Sequence, residues 1–439
     1  MGITKIAIEG FRCFGKREEA RLAPLTLLVG ENSAGKTSFL AMVKALQDSM
    51  AMLPQPDFNA APYEFGSYDD MAYRGGTIEE GTASEFRGSL TFTPEWREPL
   101  TSFGATYAKE GKEPAVVGRR IVLGDHWFEY DKRPPDGLVA IGSPQVEIKM
   151  PYPRGLRSEG APHPWALLHA VQRELKKDGG QAEVVRGTLD SKGRHWSSIE
   201  GRLIRFLFDL QEAAPRTFPG APVRSRPKRT YEATPGRNVA EGDRIPRRLA
   251  DLIGKGGRAW AKLGGSLRRY GRESGMFDRI AVRRLGSFDS DPFQVSVSPS
   301  GSPDRVLTDV GYGVSQALPV LVELLNGDPS RVFLLQQPEV HLHPRAQATL
   351  GSLMARVASR GRQLLVETHS DYLLDRIRMD IRDRKTELGP DDVSILYFER
   401  AGVEAKIHSL RIDAQGNVIG APDGYRQFFL DEVERSFGI

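Results

Sequence analysis

Apolar positions recur along this chain in two rhythms, one of strands and one of helices. Short apolar, β-rich runs at 3–9 and 25–29 predict strands. After the second, Phe39, Leu40, Met42, Val43 and Leu46 recur at helical spacing and predict a helix reaching about residue 48. A charged turn is expected over 16–19, and residues 53–80, rich in Pro, Gly, Asp and Tyr, read as an irregular loop. From about 86 to 150 the texture is β, with strands predicted at 86–92, 121–130 and 146–150. Helices are predicted at 165–177 and 198–213. Beyond Gly286, strands at 293–297, 332–335, 363–367 and 393–398 alternate with helices near 313–326, 345–359 and 370–384. That alternation predicts an α/β fold with a mostly parallel sheet covered on both faces.

A chain of 439 residues exceeds one ordinary core. The expected division is an N-terminal lobe over 1–95, a β-rich subdomain over 96–160, a helical, basic insertion over 161–300 and a C-terminal lobe over 301–439. No run of about 18 apolar residues occurs, so no membrane span is expected. The start reads as a strand rather than a signal peptide, and the single cysteine, Cys13, suits a reducing cytoplasm. The formal net charge is only +4, yet residues 215–285 hold 18 Lys and Arg against 6 Asp and Glu. Arg224, Arg226, Lys228 and Arg229 are the densest part of that excess. They are candidate contacts to DNA or RNA or to an acidic partner, with Tyr231, Trp260 and Tyr270 available for stacking. A solvated or internally paired face would have the same composition.

The chemistry is concentrated at Gly30, Glu31, Asn32, Ser33, Ala34, Gly35, Lys36, Thr37 and Ser38, which fit the phosphate-loop pattern G-x-x-x-x-G-K-[ST] between a strand and a helix. In that setting backbone N–H groups and the helix N-terminus point at phosphate oxygens. Lys36 would neutralise the β and γ phosphates of ATP, and the Thr37 hydroxyl would ligate Mg²⁺. Three later stretches are also rich in candidate groups. Gly311-Tyr312-Gly313-Val314-Ser315-Gln316 opens a helix whose dipole favours an anion. Gln336-Gln337-Pro338-Glu339-Val340-His341-Leu342-His343-Pro344 ends an apolar strand, as does Glu367-Thr368-His369-Ser370. Ends of parallel strands are where ligands bind in such sheets. His341, His343 and His369 could be counted as a zinc cluster, but no cysteine or well-spaced fourth ligand accompanies them. Asp289-Ser290-Asp291 has the D-x-D form of a metal nuclease, yet turn residues flank it and it reads as a loop.

In this order the four motifs resemble the OLD-type branch of the ABC-like ATPases, related to RecF- and SMC-type heads. The resemblance covers roughly 1–80 and 300–400 and implies a P-loop, ABC-type ATPase head. It makes 30–38 the Walker A loop, and 311–316 the signature that caps the ATP of a second copy through Gly311, Gly313, Ser315 and Gln316. It makes 336–344 the Walker B strand and D-loop, and places His369 near the γ-phosphate. Gln336 then stands in the Mg²⁺ shell and Gln337 at the attacking water, positions where the family carries an acid and a Glu or Gln. A neutral amide orients water but takes no proton and adds no charge beside Mg²⁺. Glu339, two residues on and on the same face of an extended strand, is the expected substitute. Firm ATP binding with slow hydrolysis follows.

The function expected is a cytoplasmic, homodimerising ATPase that switches contacts with a partner or nucleic acid. By resemblance it serves bacterial anti-phage defence, with an effector, such as a nuclease, supplied as a separate protein. The alternative is a DNA-binding clamp or repair factor that uses ATP to close with little turnover.

Overall fold

The computed structural model describes residues 2–50, 56–75, 83–93, 100–133, 137–144, 146–153, 164–175, 183–186, 217–221, 226–233, 241–299, 301–328, 331–422 and 425. An antiparallel sheet begins at β1 (Ile3–Glu9) and β2 (Glu18–Arg21) and takes in the later strands β4 (Glu85–Phe92), β5 (Leu100–Glu110), β6 (Glu113–Leu123), β7 (His126–Asp131), β8 (Leu138–Gly142), β9 (Glu147–Pro151) and β10 (Glu183–Arg186). Their order across the sheet is β10-β9-β8-β7-β6-β5-β4-β1-β2.

A second, mixed sheet has the order β11 (Thr217–Gly220), β15 (Val332–Gln336), β16 (Gln363–Glu367), β3 (Leu25–Gly30), β17 (Val393–Ala401), β18 (Glu404–Ile412) and β19 (Val418–Ile419). The first five run parallel, and β18 and β19 add antiparallel. Its central strands are apolar throughout because both faces are buried. Leu28, Leu334, Leu365 and Leu396 face the helix Lys36–Met50 and the antiparallel sheet. Leu27, Leu335, Val366 and Ile395 face the helices Tyr312–Asn326, Pro344–Ala358 and Asp371–Arg382. This is the expected α/β fold with a mixed sheet.

Several expectations need correction. The run at 121–130 is not one strand: β6 and β7 meet in a tight hairpin where Leu123 pairs with His126 across Gly124-Asp125, with Gly124 at φ +51°. The expected charged turn at 16–19 instead leads into the edge strand β2, whose charges suit an exposed edge. The boundary expected at 95 falls between β4 and β5, which are paired neighbours in one sheet. The described part of the basic middle is tied into the rest of the fold. Its β11 forms an edge of the parallel sheet, where Pro219 is tolerated without an amide hydrogen. Its helix Gly257–Ser274 packs on the helix Pro344–Ala358, the Tyr270 hydroxyl donating to Ala346 O at 3.3 Å. A small antiparallel sheet of β12 (Arg279–Arg284), β13 (Phe293–Ser298) and β14 (Arg305–Val306) completes it. The helix expected at 198–213 lies outside the described residues. Among the described residues no helix is long and apolar enough to cross a membrane.

Candidate functional site

The parallel sheet carries its polar strand ends along one edge, where β3, β16 and β15 finish in Gly30, Glu367 and Gln336. The 30–38 loop leaves β3 there, with Gly30, Ser33 and Gly35 at φ +133°, +61° and +98°, and the helix begins at Lys36. At Gly35 a side chain would be strained, and a Cβ would lie 2.6 Å from Cys13 Sγ. Glu31, Asn32 and Ser33 form an exposed rim, while Ala34 and Ser38 are buried beneath it. Lys36 is buried and its ammonium donates to Gly30 O at 3.0 Å and Glu31 O at 2.6 Å. Burial lowers its pKa, and the charges of Glu367 and Glu31 oppose that shift.

Thr37 Oγ1 donates to Glu367 Oε2 at 2.9 Å. Glu367 is register partner to Gln336 in the parallel ladder, and its carbonyl accepts from Gln337 N at 2.8 Å. Gln336 is buried, and the buried Tyr63 hydroxyl lies within hydrogen-bonding reach of its side chain. At Gln337 the backbone turns to φ +41°, an uncommon conformation for a non-glycine residue that recurs at functional sites.

That turn overturns the expectation that Glu339 shares a face of an extended strand with Gln337. The buried Glu339 carboxylate instead crosses to the end of β16, where its Oε1 accepts from Thr368 Oγ1 at 2.7 Å and His369 N at 3.0 Å. Thr368 Oγ1 in turn accepts from Ser370 N at 3.0 Å, and Ser370 Oγ caps the following helix by accepting from Leu373 N at 3.1 Å. Thr368 and Ser370 lie in a stretch the sequence singles out without giving them a role; both are buried polar groups at a strand-to-helix junction. His369 is exposed at its outer side, and partial desolvation of its ring, then the Lys36 charge, lower its pKa.

Glu367 titrates in the opposite sense. Burial raises its pKa above the ordinary 4.5, against the Thr37 hydrogen bond and the Lys36 charge. A raised value means that the protonated folded state is favoured below 4.5 and that this contribution is lost as pH rises through the folded value. Without nucleotide, the wild-type thermal midpoint should therefore rise relative to Glu367→Gln as pH falls from 7.5 towards 4.5. A difference that stays flat across that window contradicts the burial account.

The signature residues meet the same chain's 336–344 segment. Gly313 packs so closely that a Cβ would lie 2.5 Å from His341 O, and the rings of Tyr312 and His341 stand 4.8 Å apart, edge to face. Gly311 and Tyr312 are exposed, whereas Ser315 and Gln316 are buried. The Ser315 hydroxyl donates to Tyr312 O at 2.9 Å. His343, at the N-cap of the helix Pro344–Ala358, accepts from Arg345 N at 3.4 Å.

The basic segment is partly absorbed by the fold. Arg229 pairs with Asp309 at 2.6 Å, just ahead of the signature, and Arg248 pairs with Glu323 at 3.1 Å. Arg226 and Lys228 are exposed, and Arg224 lies outside the described residues. The stacking role expected of Tyr231 and Tyr270 does not hold. Both are buried, Tyr231 stacked on Phe293 at 5.7 Å and Tyr270 against the Pro344–Ala358 helix. The D-x-D segment is an exposed turn, in which Asp291 Oδ2 accepts from Phe288 N at 2.7 Å.

Two family models match this chain. One, described as "AAA ATPase domain", covers residues 1–67 and so includes the phosphate loop. The other, described as "AAA domain, putative AbiEii toxin, Type IV TA system", covers residues 203–375 and so includes 311–316, 336–344 and 367–370. The two stretches that frame the site therefore each lie within a match to an ATPase-domain model. No curated protein matches the chain. Among solved structures, an SMC head bound to the C-winged helix domain of ScpA is 12% identical, with 94% of this chain and 98% of that one covered and a TM-score of 0.47. The SMC head domain from Thermotoga maritima is 13% identical, with 93% and 98% covered and a TM-score of 0.42. The Smc head with an extended coiled coil, bound to the C-terminal domain of ScpA, from Pyrococcus furiosus is 12% identical, with 98% and 99% covered and a TM-score of 0.45. With TM-scores below 0.5, these likenesses carry no argument of their own.

Proposed function

We propose that this chain is an ATP- and Mg²⁺-dependent switch: ATP held by the 30–38 loop draws two copies together and is cleaved slowly. The observation that supports this most is the state of Lys36. A buried ammonium turned onto Gly30 O and Glu31 O is poised to exchange two neutral carbonyls for phosphate oxygens, in a loop that opens at the edge of a parallel sheet. Gly30 to Ser38 hold the phosphates, and the signature of a second copy caps them, with Gly313 and Ser315 behind the exposed Gly311 and Tyr312.

The donors fit a hard cation. Thr37 offers a hydroxyl already hydrogen-bonded to a carboxylate oxygen, and Gln336 stands in register on the next strand but one from the loop. Mg²⁺ keeps waters and phosphate oxygens as ligands and needs few donors from the protein. When bound, Mg²⁺ neutralises charge that develops on the phosphates. Slow cleavage follows from Gln337, which orients water without accepting its proton.

The wider role is an ATPase component of a bacterial defence system of the OLD-type branch, acting with a separate effector. The four ordered motifs support it, as does the toxin–antitoxin description of the model matching 203–375. Single-turnover measurements, with protein in excess over radiolabelled ATP and Mg²⁺ present, test the enzymatic core. The expected result is ATP retained by the protein and converted well below the typical enzyme rate of about 10 s⁻¹. Retention with conversion no faster than in buffer would leave a binding protein in place of an ATPase.

A further inference from the structure

We propose that Glu367 supplies the metal-facing carboxylate of this site, taking over from the strand-end position that Gln336 occupies. The assignment rests on the ATP·Mg²⁺ reading above and adds which residue carries the negative charge. The strand that should end in an acid ends in an amide, and the neighbouring strand ends in an acid at the paired register position. A carboxylate moved sideways by one strand still lies at the same edge of the sheet, and here it lies nearer the loop, because β16 is the direct neighbour of β3.

The contacts follow the displacement. Glu367 Oε2 accepts from Thr37 Oγ1 at 2.9 Å, so the acid is hydrogen-bonded to the very hydroxyl that the phosphate loop offers to the metal. Lys36 is close enough to influence Glu367, yet it donates to Gly30 O and Glu31 O, so nothing cationic is hydrogen-bonded to this buried carboxylate among the described residues. A buried carboxylate is costly unless paired or coordinated, and a divalent ion at Thr37 would supply the missing charge. The other acids are placed differently. Glu339 Oε1 accepts from Thr368 and His369 whereas Thr37 donates to Glu367, and Glu31 stands on the exposed rim of the loop. Gln336 remains beside Glu367, and its Nε2 is a donor suited to a metal-bound water or a phosphate oxygen but not to the metal itself.

The test is the Mg²⁺ dependence of ATP binding by the full chain, read at equilibrium with a fluorescent ATP analogue, first in EDTA and then across a Mg²⁺ titration. Glu367→Gln keeps the shape and an acceptor for Thr37 but removes the charge. Its half-saturating Mg²⁺ concentration should rise about tenfold or more, with binding in EDTA no weaker than that of wild type. Adding Gln336→Glu to that variant should restore most of the Mg²⁺ response. Glu367→Asp, which keeps the charge, should shift it only a few-fold. A Glu367→Gln response within about twofold of wild type overturns the assignment while leaving the ATP reading intact. Equal losses in the Gln and Asp variants also overturn it, since shape rather than charge would then matter. Failure of the wild-type chain to bind the analogue with or without Mg²⁺ overturns the ATP reading, and the assignment with it.

Discussion

Lys36→Ala abolishes ATP binding at micromolar nucleotide while leaving the fold in place. The side chain is 3% exposed, and its ammonium donates only to the carbonyls of Gly30 and Glu31 within its own loop. Removing it leaves those two carbonyls free to meet water at the loop's open rim, so the folded state loses little. The nucleotide-bound state loses a desolvated, charge-assisted contact to phosphate. Truncating such a contact costs about 2–5 kcal/mol, and at about 1.4 kcal/mol per tenfold this weakens binding from roughly thirtyfold to several thousandfold. Equilibrium dialysis reads the loss, and an unchanged thermal midpoint without nucleotide separates it from unfolding. Binding retained within a few-fold would move the nucleotide away from the 30–38 loop.

Glu339→Ala has the second large effect, and on different observables. Glu339 Oε1 is the shared acceptor for Thr368 Oγ1 and His369 N, and Thr368 passes the constraint on to Ser370 and the cap of the Asp371–Arg382 helix. Without the carboxylate two donors lose their acceptor, one of them the buried Thr368 hydroxyl; each orphaned buried donor costs about 1–3 kcal/mol. The thermal midpoint should fall, ATP should still bind within a few-fold because the loop is untouched, and cleavage should drop on the order of a hundredfold as the His369 turn loses its position. Glu339→Gln keeps an oxygen that can accept both hydrogen bonds. It should therefore retain the midpoint and most of the cleavage. If it instead loses cleavage as deeply as the alanine variant while staying folded, the Glu339 charge acts on the reaction directly and the positioning role is wrong.

Much of the fold was legible because the central strands and their helices repeat apolar residues in simple periods. The strand at 363–367 and the helix after Lys36 stand where the spacing puts them, and the parallel order follows from their alternation. The misreadings have physical causes. β2 is charged because it is an edge, β11 contains a proline because it is the other sheet's edge, and neither looks like a strand in isolation. Tyr231 and Tyr270 sit among arginines in the sequence, yet their rings point into the core while the charges point out. At the site, the loop residues were readable from their pattern, since nearly all the geometry is local backbone. The carboxylates were not. Whether Glu339 continues a strand or leaves it depends on one backbone angle at Gln337, and the pairing of Glu367 with Thr37 joins residues 330 positions apart.

The most direct measurement of the switch is the molar mass of the full chain by light scattering, with and without ATP and Mg²⁺. The predicted result is a monomer that doubles its mass when ATP·Mg²⁺ is added. Gly311→Arg, which places a bulky cation on the exposed start of the signature where an added Cβ meets nothing within 4 Å, should still bind ATP but stay monomeric. A wild-type mass that does not change although ATP is bound would contradict the account, because the nucleotide would then not bring two copies together.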